Sequence, residues 1–372
     1  MKCVGFIGWR GMVGSVLIER MIKKKNFDNI IPYFFSTSQI GKSGPILSKN
    51  QDINILYNAY DTDILQEMDI LVTCYGNDYT KIIYKKLKKK KWKGYWIDAS
   101  SYLRMKKKSI ICLDPINKEL IYKGLEKGIK NFIGGNCTVS LMLMALSGLF
   151  KKDLIDWISV STYQAASGGG SKNMCELLEQ MGFIYKSIKY DLKNINYKIL
   201  EIEKKIKNIS LSNIIPKENF KCVLFGSLIP WIDKRMNNGQ SREEWKGQAE
   251  TNKILSSKKK IIVDGLCVRI GTFRCHSQSL TIKIKKNISI QEIKQIISND
   301  NRWVKIVPNV YEETIKKLTP INVSGTLNIL IGRLRKMNIG SKYISAFTIG
   351  DQLLWGAAEP IRRILEIIIL NT

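Results

Sequence analysis

No apolar run in this sequence reaches the roughly 18 residues that a membrane-spanning helix needs. The two longest candidates, residues 139–150 and 361–370, are too short, and Arg362, Arg363 and Glu366 interrupt the second. The eight cysteines include no Cys-x-x-Cys pair, so neither a disulfide framework nor a zinc or other metal site is expected, and a reducing cytosol is the expected setting. Ahead of a first strand at residues 4–7 there is no basic, apolar leader of the secretory or transit kind. Acidic residues are scarce, 32 against 60 Lys plus Arg, giving a net charge of +28. Such an excess suits phosphate neutralisation by a nucleic-acid-binding protein. The lysines, however, fall in runs at 23–25, 88–91, 106–108 and 258–260, without the interleaved Arg and aromatic side chains of a base-reading surface. With the abundant Ile and Asn they indicate a compositional bias, and neither nucleic acid nor membrane is an expected partner. Histidine is scarcest of all, with His276 alone. A step near neutral pH that takes a proton from a thiol and later returns it has this one obvious candidate.

What is present is an alternation of strands and helices long enough, at 372 residues, for two domains. The first strand runs into Gly8-Trp9-Arg10-Gly11-Met12-Val13-Gly14, which opens a helix. Glycines there let backbone N–H groups close on a pyrophosphate at a helix N-terminus, although the spacing is G-x-x-G-x-x-G. The second strand, residues 30–35, ends in Ser36-Thr37-Ser38. No carboxylate stands there to bind ribose hydroxyls, and with Arg10 in the first turn NADP is favoured over NAD. Strands at 69–73, 95–98, 110–113 and 131–133, with helices at 79–87 and 117–127, predict a parallel sheet whose ligands gather at the strands' C-terminal ends. A strand at 157–164 then enters a second glycine turn, Ala165-Ala166-Ser167-Gly168-Gly169-Gly170-Ser171, and alternating strands follow at 266–274 and 279–285. The expected fold is α/β: a Rossmann-like dinucleotide-binding domain over residues 1–135, completed by a C-terminal helix at 357–372, with a second α+β catalytic and dimerisation domain over 136–356.

Gly134-Gly135-Asn136-Cys137-Thr138 feeds straight into the apolar run and predicts a helix starting at Cys137 or Thr138. A thiol there lies in the field of unpaired N–H groups, which can lower its pKa from about 8.5 into roughly the 3.5–7.5 range. An inert buried thiol is the plain alternative, but the end of a parallel strand favours a nucleophile. Ser241 caps a further helix on which Glu243 and Lys246 share a face, either as a solvated ion pair or as separate holders of an ammonium and an anion. Arg269 suits a bidentate carboxylate clamp and Arg104 a phosphate.

Five stretches together closely resemble the aspartate-semialdehyde dehydrogenases of the Gram-negative bacterial type: residues 5–14, 134–138, Tyr163-Gln164-Ala165-Ala166-Ser167-Gly168, Ser241-Arg242-Glu243-Glu244-Trp245-Lys246 and Arg274-Cys275-His276-Ser277. The resemblance spans nearly the whole chain. It implies reversible, NADP-dependent conversion of 4-aspartyl phosphate to aspartate 4-semialdehyde and phosphate, on the cytoplasmic route to diaminopimelate, lysine, threonine and methionine. By resemblance Cys137 forms an acyl-enzyme thioester, His276 is the acid/base and Gln164 orients the substrate. Arg269 binds its α-carboxylate, Glu243 its amino group, Arg104 and Lys246 the phosphate, with Asn136 also at the substrate. N–H groups at the start of the Cys137 helix are expected to stabilise an oxyanion. Gly8, Arg10, Gly11, Met12, Val13, Thr37, Ser38, Tyr75, Ser167, Gly168, Gly169, Gly170, Ser171 and Gln352 are the implied NADP(H) contacts, and a homodimer is implied. The chain departs from the family at Tyr75, where Gln is usual, and at Asn77, where Gly is usual; residues 186–217 carry no family signature. A related reductase acting on N-acetylglutamyl phosphate is the competing enzyme reading, and Glu243 opposes it because an acetylated amine has no charge to pair.

Overall fold

The computed structural model describes residues 1–47, 55–193 and 198–372, and in these the chain makes two seven-stranded sheets. The first contains β1 (Lys2–Ile7), β2 (Ile30–Ser36), β3 (Tyr57–Asn58), β4 (Ile70–Thr73), β5 (Tyr95–Asp98), β6 (Ser109–Cys112) and β7 (Asn131–Gly134). Its order is β3-β2-β1-β4-β5-β7-β6, with every pairing parallel. β4 to β7 are buried at every position, as strands covered on both faces must be. The Rossmann-like arrangement read from the sequence is present. β7 lies between β5 and β6, one strand in from the edge, so the turn that follows it is flanked by a strand on each side. The glycine turn is built as the spacing requires: Gly8 has φ +75, and a Cβ on Gly14 would sit 2.2 Å from the Gly8 carbonyl oxygen.

The second sheet contains β8 (Ile155–Gln164), β9 (Leu228–Ile229), β10 (Ile262–Ile270), β11 (His276–Ile284), β12 (Val304–Ile306), β13 (Ile329–Met337) and β14 (Gly340–Gly350), in the order β12-β13-β14-β11-β8-β10-β9. It is mixed, with β10 parallel to β8 and β11 antiparallel to both β8 and β14. The strand expected at 266–274 starts and ends earlier, because Gly271 opens a turn that runs to Cys275, a residue in the left-handed region at φ +75. The strand expected at 279–285 accordingly begins at His276.

On the second sheet packs the helix Cys137–Lys151, buried at almost every residue. Leu141, Met142, Leu143, Met144 and Leu146 join Ile158, Leu280, Ile282 and Ile344 of the second sheet in one core. Each such side chain contributes about 1.5–3 kcal/mol of burial, which explains why this run has no polar face. The C-terminal segment returns through a π-turn, Leu354–Ala358, into the helix Glu359–Asn371, whose Ile361, Ile364, Leu365 and Ile368 enter the core of the first sheet. Of the stretch without a family signature, residues 194–197 lie outside the described residues. Its flanking helices, Ser171–Ile188 and Ile199–Leu211, share a small core of Ile184, Ile188, Ile202, Ile215 and Val223.

A buried ion cluster fixes the returning helix. Glu359 accepts from Arg20 Nε at 2.9 Å and from Arg362 Nη2 at 3.0 Å, and all three side chains are largely buried. Removing Glu359 leaves the buried Arg20 without its acidic partner, while Arg362 keeps only Glu366 at 3.2 Å. Glu359→Ala is expected to lower stability by about 3–5 kcal/mol, measurable as an earlier midpoint in urea unfolding.

Candidate active site

The site forms where the C-terminal end of β7 meets one end of the second sheet. Asn136 is the N-cap and Cys137 the first residue of its helix, within the one-residue window set by the sequence. Asn136 Oδ1 accepts from the N–H groups of Thr138 at 3.0 Å and Val139 at 3.3 Å. These donors are therefore already occupied, and the expectation that they stabilise an oxyanion does not hold for those two groups. Asn136 is held from both sides. Its Nδ2 donates to Glu243 Oε1 at 2.9 Å and its N–H to Glu250 Oε2 at 2.7 Å.

Strand register brings the other groups together. Arg269 on β10 pairs with Gln164 on β8, and Ser277 on β11 pairs with Tyr163, so His276 falls at the same end of the sheet. His276 Nε2 lies 3.3 Å from Cys137 Sγ. Gln164 Nε2 donates to Glu243 Oε1 at 3.0 Å, and Arg269 Nη1 donates to the Ala165 carbonyl at 2.7 Å. Glycine is required at 168, where a Cβ would sit 2.7 Å from Arg269 Nη1 and 2.9 Å from His276 Cε1.

Glu243 and Lys246 are neither solvated nor apart. Both are buried, with Lys246 Nζ 2.8 Å from Glu243 Oε2 and 2.9 Å from Asp233 Oδ2. Burial alone would raise the Glu243 carboxyl, but Lys246 and the hydrogen bonds from Lys246, Asn136 and Gln164 outweigh it and bring it down to about 2. Arg104 is also buried and extensively bonded: Nε donates to Gly134 O at 2.7 Å, Nη2 to Ala99 O at 3.1 Å and Nη1 to Glu250 Oε1 at 3.1 Å. Three of the five guanidinium N–H groups are thus used in tying the ends of β5 and β7 to Glu250, which leaves two for a ligand.

The thiol departs from expectation. Cys137 is half-buried by area but stands in a densely enclosed site, and burial, then the Glu243 charge, push it up to about 12 against the pull of Arg104, Lys246 and Arg269. Helix position alone had predicted a lowered value; desolvation and a neighbouring carboxylate are the stronger effects. His276 has no exposed surface, and burial followed by the Arg269 charge lowers it to about 3. The resting pair is a thiol beside a neutral imidazole.

The groups expected at a dinucleotide lie in two places. At the first turn, Gly11 is the N-cap, Met12 and Val13 begin the helix Met12–Lys23, and Arg10 Nη2 donates to Ser36 Oγ at 3.2 Å. Ser36 also accepts from the N–H groups of Ser38 and Gln39, so it is Ser36 that caps this turn. The Thr37 and Tyr75 hydroxyls are 2.9 Å apart, and the Tyr75 ring lies edge-on to Tyr79. At the second turn, Ser167, Gly168 and Gly169 belong to a 3-10 turn, and Gly170 caps the helix that starts at Ser171. Gln352 is buried, bonding Ser167 Oγ and accepting from the Cys275 N–H at 2.8 Å. The π-turn Leu354–Ala358 packs on both the helix Met12–Lys23 and the Cys137 helix, which couples the first turn to the thiol. A glycine cradle at a helix N-terminus fits the pyrophosphate of a dinucleotide.

Residues 3–123 match the semialdehyde dehydrogenase NAD-binding domain and residues 146–355 the semialdehyde dehydrogenase dimerisation domain. The structure superposes on aspartate semialdehyde dehydrogenase from Francisella tularensis with a TM-score of 0.95 and 49% identity, over 99% of this chain and 100% of that one. This chain belongs to the aspartate-semialdehyde dehydrogenase family. The same fold recurs at 20% identity in Vibrio cholerae aspartate semialdehyde dehydrogenase II complexed with ASA, TM-score 0.80, over 100% of this chain and 99% of that one. At 15% identity it recurs in the Candida albicans aspartate semialdehyde dehydrogenase with NADP, TM-score 0.65, over 99% and 98% of the two chains. The chain is accordingly an oxidoreductase of amino-acid biosynthesis with a dinucleotide-binding domain. Among its described residues no helix is long and apolar enough to cross a membrane.

Sequence reasoning missed Glu250, Asp233 and the strained Cys275. Glu250 had a signal: Glu243, Lys246 and Glu250 follow i, i+3, i+7 spacing, an ionic stripe on a single helix face. Asp233 and Cys275 lie in irregular segments that no periodicity marks.

The Glu243 carboxyl makes a pH prediction. Its folded pKa, about 2, is below the ordinary 4.5, so its contribution is fully present above pH 4.5 and is lost as pH falls towards 2. Acid unfolding of Glu243→Gln should therefore show a weaker pH dependence over that window than the parent chain; an identical acid limb would contradict the pairing.

Proposed function

We propose that the chain catalyses the reversible, NADP-dependent reduction of 4-aspartyl phosphate to aspartate 4-semialdehyde and phosphate through a thioester on Cys137. The observation that carries this reading is the Cys137 Sγ to His276 Nε2 contact of 3.3 Å, made beside Arg269, Glu243 and Gln164. Arg269 offers a fork for the α-carboxylate. Glu243 offers its charge to the α-ammonium, which takes the place of Lys246 and turns that lysine, with the free N–H groups of Arg104, to the phosphate. Cys137 as thiolate attacks the acyl carbon, the phosphate oxygen leaves, and the thioester remains. The nicotinamide supplies the hydride. Collapse of the resulting hemithioacetal restores the carbonyl and returns the electron pair to sulfur, with His276 beside both.

NADP preference rests on Arg10 and on the hydroxyls of Thr37 and Ser38, where no carboxylate stands. Lysine, threonine and methionine biosynthesis, the cytoplasm and a homodimer belong to the same reading. An N-acetylated substrate is disfavoured by a buried, ionised Glu243.

Phosphate-dependent NADP reduction with aspartate semialdehyde tests the proposal, run with and without phosphate and with NAD in parallel. Cys137→Ala should abolish turnover, and unchanged turnover would refute the thioester. His276→Ala should cost at least about 100-fold in kcat, the worth of a positioned proton donor or acid/base.

A further inference from the structure

The ring of His276 is oriented by a group outside the set of reacting side chains. The Ala165 backbone N–H donates to His276 Nδ1 at 3.2 Å. A backbone amide nitrogen only donates, so Nδ1 must offer its lone pair. A neutral imidazole carries one hydrogen, which is thereby assigned to Nε2, the nitrogen 3.3 Å from Cys137 Sγ.

We infer that the Ala165 N–H fixes His276 as the Nε2–H tautomer, so that the imidazole presents a hydrogen and not a lone pair to Cys137 and to the reacting oxygen. This inference rests on the reading of Cys137 and His276 as the reacting pair. Ala165 is a positioning residue, and its peptide is firmly held. Its carbonyl accepts from Arg269 Nη1 at 2.7 Å, and the next two N–H groups, of Ala166 and Ser167, donate to Thr272 O at 2.8 Å and Phe273 O at 3.1 Å. Gly168 keeps this edge of the ring free of a side chain, since a Cβ there would sit 2.9 Å from His276 Cε1 and 3.1 Å from Nε2. Forming the imidazolium would set an Nδ1–H against the Ala165 N–H. Of the charges facing the ring, Arg269 on β10 opposes protonation and Glu243 on the helix Arg242–Leu255 favours it, while Cys137 adjoins Nε2. The Arg274–Asp351 pair lies beyond the Cys275 turn and is self-neutralised at 2.8 Å.

The proposed reaction closes without moving the Nε2 proton. The Cys137 thiol gives up its proton as it attacks: the C–S bond forms, the C–O bond to phosphate breaks, the leaving phosphate carries off that proton, and the sulfur released at the end of the cycle recovers from solvent the one proton that the overall reaction consumes. Hydride addition places the negative charge on oxygen, and collapse returns it to sulfur. Nε2–H can donate to each of these anions in turn, which is the role of an oxyanion-hole donor.

Because the chain has a single histidine, the test needs no variant. Full-length protein labelled with [15N]histidine is examined by long-range 1H–15N correlation from about pH 6 to about pH 8, the range in which an ordinary histidine titrates. The expected spectrum has a protonated Nε2 and an unprotonated Nδ1 throughout. A protonated Nδ1 with bare Nε2, averaged tautomers, or both nitrogens protonated at neutral pH would each overturn the inference. The readout is independent of turnover, so failure of the semialdehyde assay and failure of the tautomer assignment are separable.

Discussion

The geometry of this site depends on one buried carboxylate. Glu243 is ionised in a place where water is excluded, and an ion so placed persists only if every lone pair is answered. Its answers come from three separate parts of the fold: Asn136 at the end of β7, Gln164 at the end of β8, and Lys246 one turn along its own helix. The grip on Asn136 has the widest effect. The amide nitrogen goes to Glu243 while the amide oxygen caps the helix, so the side chain cannot rotate without losing both. Cys137 begins that helix, and the sulfur's position is set by a charge on another helix.

Around this anchor the two sheets supply different things. The parallel sheet ends in loops, and the loop after β7 delivers the thiol. The mixed sheet supplies a row, with Arg269, Gln164 and His276 at one end of three neighbouring strands. Because side chains alternate with period two along each strand, a register slip of one residue would carry Arg269 or His276 to the opposite face. The register is pinned by the apolar positions between, Val263 on β10, Ile158 on β8, Leu280 and Ile282 on β11, all buried against the Cys137 helix. The core that stabilises the fold therefore also aligns the chemistry.

Much of this was legible in the sequence because it is written in local signals. A glycine turn after a strand, an Asn before an apolar run, and a Ser three residues ahead of Glu244 each specify a backbone geometry, and the Ser241–Glu244 capping box formed as the spacing implies. The thiol's environment was not legible. Helix position is a property of neighbouring residues, whereas desolvation and the Glu243 field come from segments more than 100 residues away. The Glu243–Lys246 pair was visible as a spacing, but its burial was not, since nothing local says which face of that helix meets the core. The end of β10 was misplaced for a related reason: the residues after Gly271 have strand-like composition, but the chain must turn there for β11 to run antiparallel beside β8.

The charges around Cys137 also bear on how a raised thiol can react. Glu243 disfavours the thiolate, while Arg104, Lys246 and Arg269 favour it. In the proposed complex the substrate's ammonium pairs with Glu243 and cancels the unfavourable field, while Lys246 stays within the site as a cation facing the phosphate. The same binding event that places the acyl carbon over sulfur thus removes the one charge that, after burial, holds the proton on it. A thiol that ionises readily only beside its substrate is shielded from oxidation and adventitious acylation at other times, which gives the buried Glu243 a role in reactivity as well as in architecture.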